Sequence, residues 1–175
     1  SDVYKRQLVD RDGLVRAVAS FEGIRRRLDR LTRTSGIPVI EGFGSSWEKA
    51  RSAIEALKLH FPERRLIVVF EPHTFSWRSR DALSWYDTVF EGADRVLILP
   101  PPGHGAESHH QSTLGEIVGR TRAAGVEARP VMDAAEAQQA LSSLNGDEVV
   151  LLLSSGPLAG LPDSLPPMFD RLYGA

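Results

Sequence analysis

The chain has no cysteine among its 175 residues, which excludes disulfides, thiol catalysis and zinc sites built on cysteine. It also lacks any apolar run of the roughly 18 residues that a bilayer-spanning helix needs, and no apolar signal segment follows the N-terminus. We therefore expect a cytoplasmic protein with no membrane partner. Aromatic residues are few, at 7%, but 42% hydrophobic and 25% charged residues are typical of a globular domain.

Two nucleotide-binding motifs are absent as well. The sequence holds no G-x-x-x-x-G-K-[ST] loop for a nucleoside triphosphate and no G-x-G-x-x-G turn for a dinucleotide. The net charge of −2 does not favour nucleic acid as a partner. That charge is uneven, because residues 1–33 carry nine Lys and Arg against five Asp and Glu, whereas the remainder is acidic. The asymmetry predicts two segments of different origin, 1–33 and 34–175.

The pattern of apolar residues predicts an α/β fold, a three-layer Rossmann-like sheet that is mostly parallel and has helices on both faces. Short apolar runs alternate with helical stripes, and this order favours right-handed crossovers between parallel strands. Residues 1–7 show no periodicity and are interpreted as a leader, and a short helix is predicted from residue 14. We predict strands at 28–34, 37–43, 66–70, 96–99, 126–131 and 149–153, and helices at 47–59, 80–90, 112–124, 134–144 and 166–173.

Chemically useful side chains follow the strand predicted at 66–70. In open α/β sheets ligands bind beyond the carboxyl ends of the strands, and His73, Arg78 and Arg80 occupy that position. Two arginines at a helix start oppose the helix dipole, so this placement favours an anionic partner such as a carboxylate or phosphate. A capping histidine followed by solvated arginines explains the same residues without a ligand.

Two other strand ends carry weaker signals. Ser154 and Ser155 follow the last strand without a surrounding G-x-S-x-G, so they are not a nucleophile elbow and fit a plain strand exit. The loop after the fourth strand is rich in histidine but lacks the helical spacing of paired metal ligands. We therefore predict no metal site there; the residues concerned are His104, Glu107, His109 and His110.

Three stretches, in order along the chain, resemble the C-terminal domain of the Mur ligases, the ATP-dependent amide ligases of peptidoglycan synthesis. They are ASFEGIRRRL at 19–28, FEPHTFS at 70–76 and LLSSG at 152–156. The resemblance runs from about residue 14 to the end and is to the branch that joins an amino acid or peptide to UDP-N-acetylmuramate. It implies that 1–33 is a leader plus the stub of a central ATP-binding domain, and that 34–175 is the C-terminal domain.

The resemblance also implies roles for individual residues. Arg27 matches an arginine that reaches the nucleotide phosphates, and His73, Arg78 and Arg80 match positions that hold the carboxylate of the acceptor. Ser154 and Ser155 match a loop that touches the acceptor. The implied reaction activates a carboxylate with ATP to an acyl phosphate, which an amine then attacks. ATP and Mg²⁺ would be held mainly by the central domain, and the N-terminal domain would bind the UDP-sugar, so the isolated chain is expected to be inactive.

Two departures from the family pattern keep alternatives open. The family's aspartate that reaches the nucleotide ribose is replaced by Gly42, so Glu41 is the candidate substitute, and two histidines are replaced by Ser45 and Ser46. Trp77 looks like an insertion before Arg78. A degenerate, regulatory ligase homologue, or a free-standing α/β module that binds a small anion or a protein, fits these departures too.

Overall fold

The computed structural model describes residues 27–103 and 110–175. The predicted leader, the short helix from residue 14 and the residues His104, Glu107 and His109 lie outside that part. Within it, strands form one mixed sheet in the order β1-β2-β6-β3-β4-β5, in which only β1 is antiparallel to its neighbour. The strands are β1 (Arg27–Arg30), β2 (Val39–Phe43), β3 (Arg65–Phe70), β4 (Arg95–Ile98), β5 (Glu127–Pro130) and β6 (Glu148–Ser154).

Helices cover both faces of the sheet, which confirms the predicted fold class. On one face, here called the aromatic face, Phe70, Trp77, Tyr86 and Phe90 are buried together with the apolar sides of three helices. On the other, here called the aliphatic face, the buried side chains are mainly Leu, Ile and Val. The aromatic face carries α1 (Trp47–His60), α2 (Phe75–Arg78), a 3₁₀ helix (Arg80–Asp87) and α3 (Leu114–Ala123), and the aliphatic face carries α4 (Ala134–Ala140) and α5 (Leu161–Leu172).

The helix starts follow from local chemistry. The predicted cap of α1 is confirmed, since the Ser46 side chain accepts the backbone N–H of Lys49. Helix α3 begins with a reciprocal capping box, in which Thr113 accepts from the backbone of Glu116 and the Glu116 side chain accepts from that of Thr113. Such caps satisfy N–H groups that have no partner inside the helix.

Four predicted elements differ from the structure, and one of them is the helix predicted at 134–144, which ends at Ala140. The helix predicted at 80–90 is wrong, because the chain forms the four-residue α2 and then a 3₁₀ helix that ends at Asp87. The last helix begins at Leu161, so its first-turn proline is Pro162 rather than Pro166. The first strand ends at Arg30, after a bulge at Leu28, where φ is +60°.

The first strand belongs to the same sheet as the rest. Arg27 pairs with Gly42 and Arg30 with Ile40, so β1 forms the edge of the sheet beside β2. The domain boundary after residue 33 stays a prediction.

The connections open a crevice at the centre of the sheet. The chain leaving β3 enters α2 and the 3₁₀ helix on the aromatic face, whereas the chain leaving β6 enters α5 on the aliphatic face. Because β3 and β6 are neighbours and the segments that follow them pass to opposite faces, the two loops diverge at the carboxyl edge of the sheet. Such a divergence is where ligands bind in open α/β sheets.

Candidate functional site

The crevice brings together residues from the ends of β3 and β6. Phe70 pairs with Leu153 at the last rung between these parallel strands, so the residues that follow each strand leave the sheet side by side. The residues that meet here, called the edge cluster below, are Glu71, His73, Ser154, Ser155 and Gly156. All five lie at the carboxyl ends of two central strands or at most three residues beyond them, as the sequence predicted for His73, Ser154 and Ser155.

Ser154 is buried and lies at the bottom of the edge cluster. Its side chain has no exposed surface, and its Oγ donates to the carbonyl oxygen of Glu71 at 3.0 Å and accepts the N–H of Gly156 at 2.9 Å. The same Oγ lies 3.4 Å from Oε1 of Glu71. This hydroxyl therefore ties the loop after β6 to the loop after β3.

Glu71 and His73 form a carboxylate–imidazole pair above that serine. Glu71 is only 8% exposed, and its Oε1 lies 3.3 Å from Nδ1 of His73, whose side chain is 37% exposed. The distance is that of an ion pair, although the angle at Nδ1 is outside hydrogen-bond geometry. Gly156 lies against both side chains, because a Cβ there would overlap with Oε1 of Glu71 and Nδ1 of His73. Only glycine lets the loop cover the pair.

One hydroxyl of the edge cluster is buried without a match. Oγ of Ser155 has no hydrogen-bond partner within the described residues. Buried polar atoms in native proteins are nearly always matched by protein, water or ligand. The Ser155 hydroxyl therefore has hydrogen-bonding capacity that the described residues do not use, whereas Ser154 is engaged within the protein.

The contacts of the two candidate arginines lead away from the edge cluster. Nη1 of Arg78 donates to the carbonyl of Pro102, in the loop after β4, at 3.1 Å. Arg80, whose side chain is half exposed, forms an ion pair with Glu116 of α3. The N–H of Thr113 and, second, the guanidinium of Arg80 hold the pKa of Glu116 below its ordinary value. Arg80 thus faces a carboxylate whose ionised form is favoured.

Trp77 is a residue whose role sequence reasoning missed. It is fully buried, its ring meets Phe70 edge-on at 5.1 Å, and its Nε1 donates to the carbonyl of Gly44 at 2.7 Å. The hydroxyl of Tyr86 donates to the Trp77 carbonyl at 2.8 Å, and burial raises the pKa of that hydroxyl far above its ordinary value. Trp77 therefore anchors the loop after β3 to the loop after β2. The aromatic residues at 70, 77, 85, 86 and 90 are the signal in the sequence that could have revealed it.

The two nucleotide candidates lie on the edge strand β1 and on its neighbour β2. Arg27 begins β1 opposite Gly42, and Glu41 is half-buried in β2 opposite Leu152. A Cβ at Gly42 would stand 3.1 Å from Cδ1 of Leu151. A carboxylate at position 42 would therefore start among leucine side chains.

Residues 27–103 and 110–175 lack two further features. No group of three His, Asp or Glu side chains there could hold a metal ion. None of its helices is both long and apolar enough to cross a membrane.

Comparison with known proteins finds a family whose model matches the sequence of this chain. The family model for the Mur ligase, glutamate ligase domain, matches residues 26–156. The chain is 28% identical over 162 residues to the UDP-N-acetylmuramate–L-alanine ligase of Desulfitobacterium hafniense, covering 90% of this chain and 35% of that protein. The chain thus spans about a third of the length of that relative.

Solved structures share the fold. The murein peptide ligase of Psychrobacter arcticus superposes with a TM-score of 0.71 at 16% identity, over 91% of this chain and 33% of that one. The UDP-N-acetylmuramate–alanine ligase of Thermotoga maritima gives a TM-score of 0.67 at 18% identity, with the same coverage of 91% and 33%. Because the family model covers most of the chain and the fold agrees, the chain belongs to the Mur ligase family and is a C-terminal domain of that family.

Proposed function

We propose that this domain binds the acceptor in an ATP-dependent ligase that joins an amino acid or peptide to UDP-N-acetylmuramate. The observation that carries the proposal is the edge cluster, in which a half-exposed imidazole and an unmatched buried hydroxyl lie together where the loops of β3 and β6 diverge. The name of a relative supplies the substrate class, since the sequence match to Desulfitobacterium hafniense is to a UDP-N-acetylmuramate–L-alanine ligase.

The residues divide into two groups in this proposal. His73 and Ser155 contact the acceptor from the edge cluster, with Ser154 behind them. Arg78 and Arg80 attract the carboxylate of the acceptor, and Arg80 would exchange Glu116 for it. This exchange is supported by the exposure of Arg80, because an exposed ion pair is worth little and is readily broken.

The nucleotide would contact this domain at the corner formed by β1 and β2. ATP supplies the phosphoryl group that activates the muramate carboxylate, and it would be held with Mg²⁺ mainly by a central domain. Arg27 and Glu41 are this chain's candidates for nucleotide contacts. Position 42 offers no carboxylate, because the residue is glycine. A side chain at this position would lie against leucine side chains. The isolated chain is therefore expected not to hydrolyse ATP when UDP-N-acetylmuramate and amino acids are added, which a phosphate-release assay checks.

The acceptor site is tested with Arg80→Ala in the full-length protein. Losing a charged hydrogen bond to the acceptor carboxylate costs about 1.5–3 kcal/mol, so the KM for the amino acid should rise at least about tenfold. Arg120→Ala is the matched control, because Arg120 is another exposed arginine of the aromatic face paired with a carboxylate, that of Asp87.

The kinetics of the two arginine variants and the binding of an amino acid to the full-length protein separate the possible outcomes. Equal acceptor kinetics in both would remove Arg80 from the acceptor site. A full-length protein that binds an amino acid in calorimetry but forms no amide would favour a regulatory homologue. A full-length protein that neither binds nor ligates amino acids would overturn the proposed function.

A further inference from the structure

We infer that Glu71 and Ser154 position the imidazole of His73, and that His73 removes the proton from the ammonium group of the acceptor. The inference rests on the proposed function and deepens it. It assigns one catalytic residue, His73, and two positioning residues, Glu71 and Ser154, which act through it.

The first support is the order of the three side chains from the core outward. Ser154 is fully buried, Glu71 is 8% exposed, and the side chain of His73 is 37% exposed. Each side chain contacts the one beneath it, since Oγ of Ser154 lies 3.4 Å from Oε1 of Glu71, and that Oε1 lies 3.3 Å from Nδ1 of His73. Only the outermost group of this series reaches the crevice.

The second support is the charge of Glu71. A carboxylate with so little exposure needs polar partners, and two lie beside Oε1 of Glu71: Nδ1 of His73 at 3.3 Å and Oγ of Ser154 at 3.4 Å. The arrangement favours a proton on Nδ1, facing Glu71, and so leaves the lone pair on Nε2. In histidine the bond made by one ring nitrogen decides the state of the other. The contact is not aligned as a hydrogen bond in the ligand-free protein, and such contacts commonly tighten when substrate binds.

The third support is the fit of the loop over the pair. A side chain at position 156 would overlap with the imidazole of His73 and the carboxylate of Glu71. The N–H of Gly156 is taken by Ser154. The loop at Gly156 therefore restricts the imidazole of His73 to a narrow range of orientations. Nε2 is left as the ring nitrogen that can contact a ligand.

The chemical step uses this nitrogen once. An amino acid arrives with its amine as an ammonium ion, which has no lone pair for attack. Nε2 of neutral His73 takes one proton, and the freed lone pair forms the new C–N bond at the acyl phosphate carbonyl. The bond from that carbon to the phosphate oxygen breaks, and phosphate leaves with the second proton of the amine. The imidazolium formed is stabilised by Glu71 until it releases its proton to water.

The kinetic test compares Glu71→Gln and His73→Gln in the full-length protein with Glu63→Gln as control. Glu63 is exposed at the other end of the sheet, so its variant should retain the wild-type kcat. General-base catalysis is worth about 10²–10⁴-fold, so His73→Gln should lower kcat at least about 100-fold. Glu71→Gln keeps the shape but not the charge and should lower kcat about tenfold or more. For Glu71→Gln, the KM for the amino acid should change less than about threefold.

A spectroscopic test needs no turnover. The chain has five histidines, so the nitrogen-15 signals of the wild-type imidazoles can be assigned with His73→Gln. Neutral His73 should carry its proton on Nδ1 in the wild type, and Glu71→Gln should increase the form protonated on Nε2.

The outcomes separate the two proposals. Wild-type kcat in Glu71→Gln, or a wild-type His73 protonated on Nε2, would overturn the inference while leaving the ligase function intact. The wild-type spectrum decides the point even if Glu71→Gln does not fold. A full-length protein that binds no amino acid would instead overturn the proposed function, and the spectrum would still report whether Glu71 orients His73.

Discussion

The two faces of the sheet are covered by different types of side chain and helix. On the aromatic face, Trp77 meets Phe70, Trp85 and Tyr86 with ring centroids 5.1–5.5 Å apart. The elements between these rings are a four-residue α-helix and a 3₁₀ helix. On the aliphatic face, regular helices bury Leu, Ile and Val.

The difference shows what stabilises the helices on each face. A helix of four residues has almost no stability of its own, so α2 exists because Trp77 is fixed in the core. The loop that carries His73 runs straight into that helix. The aliphatic face needs no such anchor, because α5 is long enough to be held by its apolar stripe. We therefore expect damage to the aromatic face to reach the edge cluster and equal damage to the aliphatic face to spare it.

The largest effect is expected for Trp77→Ala. Removing a fully buried tryptophan costs about 3–5 kcal/mol, and the carbonyl of Gly44 loses its donor. Urea unfolding of the chain measures the free energy, and acceptor KM in the full-length protein should rise as well. The control is Phe75→Ala in the same helix, whose ring is 73% exposed, and it should stay within about 0.5 kcal/mol.

Leu165→Ala tests the opposite face. Leu165 of α5 is fully buried, so its truncation should cost about 2–5 kcal/mol in the same unfolding assay. Acceptor KM in the full-length protein should remain at the wild-type value under conditions where the variant is folded. A rise in KM equal to that of Trp77→Ala would mean that the two faces support the edge cluster alike.

Gly156→Ala acts where the loops of the two faces meet. The added methyl overlaps with Glu71 and His73, and overpacking of this kind costs about 1–3 kcal/mol. Ligation by the full-length protein should fall more than stability does, since the displaced atoms belong to the edge cluster. Gly119→Ala is the matched control, because nothing lies within 4 Å of its added Cβ in α3. That variant should gain about 0.5–1 kcal/mol, and a loss there would contradict the assignment of an unstrained helical site.

The smallest effect is expected at Asp170, which ties α5 to the segment after β1. Its carboxylate accepts the N–H groups of Arg33, Thr34 and Ser35 at 2.8–3.2 Å. Burial works to raise its pKa, but the N–H groups of Ser35, Thr34 and Arg33 outweigh it and hold the pKa below the ordinary value of 3.8.

A lowered pKa in the folded state stabilises the protein at pH values above the unfolded pKa. This contribution is lost as the pH falls through the folded value. The difference in unfolding free energy between the wild type and Asp170→Asn should therefore be constant above about pH 5 and shrink below about pH 4. Equal differences at pH 3 and pH 7 would show that the ionised carboxylate adds nothing.

The sequence predicts the central strands well and the anchoring residues poorly. The runs at 66–70 and 149–153 lie within the observed β3 and β6, because a strand buried on both faces is apolar throughout. The pairing of β6 between β2 and β3 does not follow from the order of elements along the chain. The helix predicted at 80–90 failed because its conformation is set by ring packing, which a helical stripe does not encode.

The edge cluster was predicted in part. His73, Ser154 and Ser155 were found from their position after strands, which topology alone brings to one edge. Glu71 lies in the same loop, but its pairing with His73 and the cover by Gly156 depend on which two strands are neighbours. From the sequence alone Trp77 looks like an insertion before Arg78, and its burial in the core is evident only from the structure.

The strand order has a consequence for folding. The two strands that flank β6 do not touch each other, so β2 and β3 have no common partner until residues 148–154 are available. Contacts between distant parts of a chain form slowly, and unpaired strand edges invite aggregation meanwhile. On the ribosome, the strands synthesised first would wait for the one synthesised last. The edge cluster would be assembled at the moment that this last strand inserts.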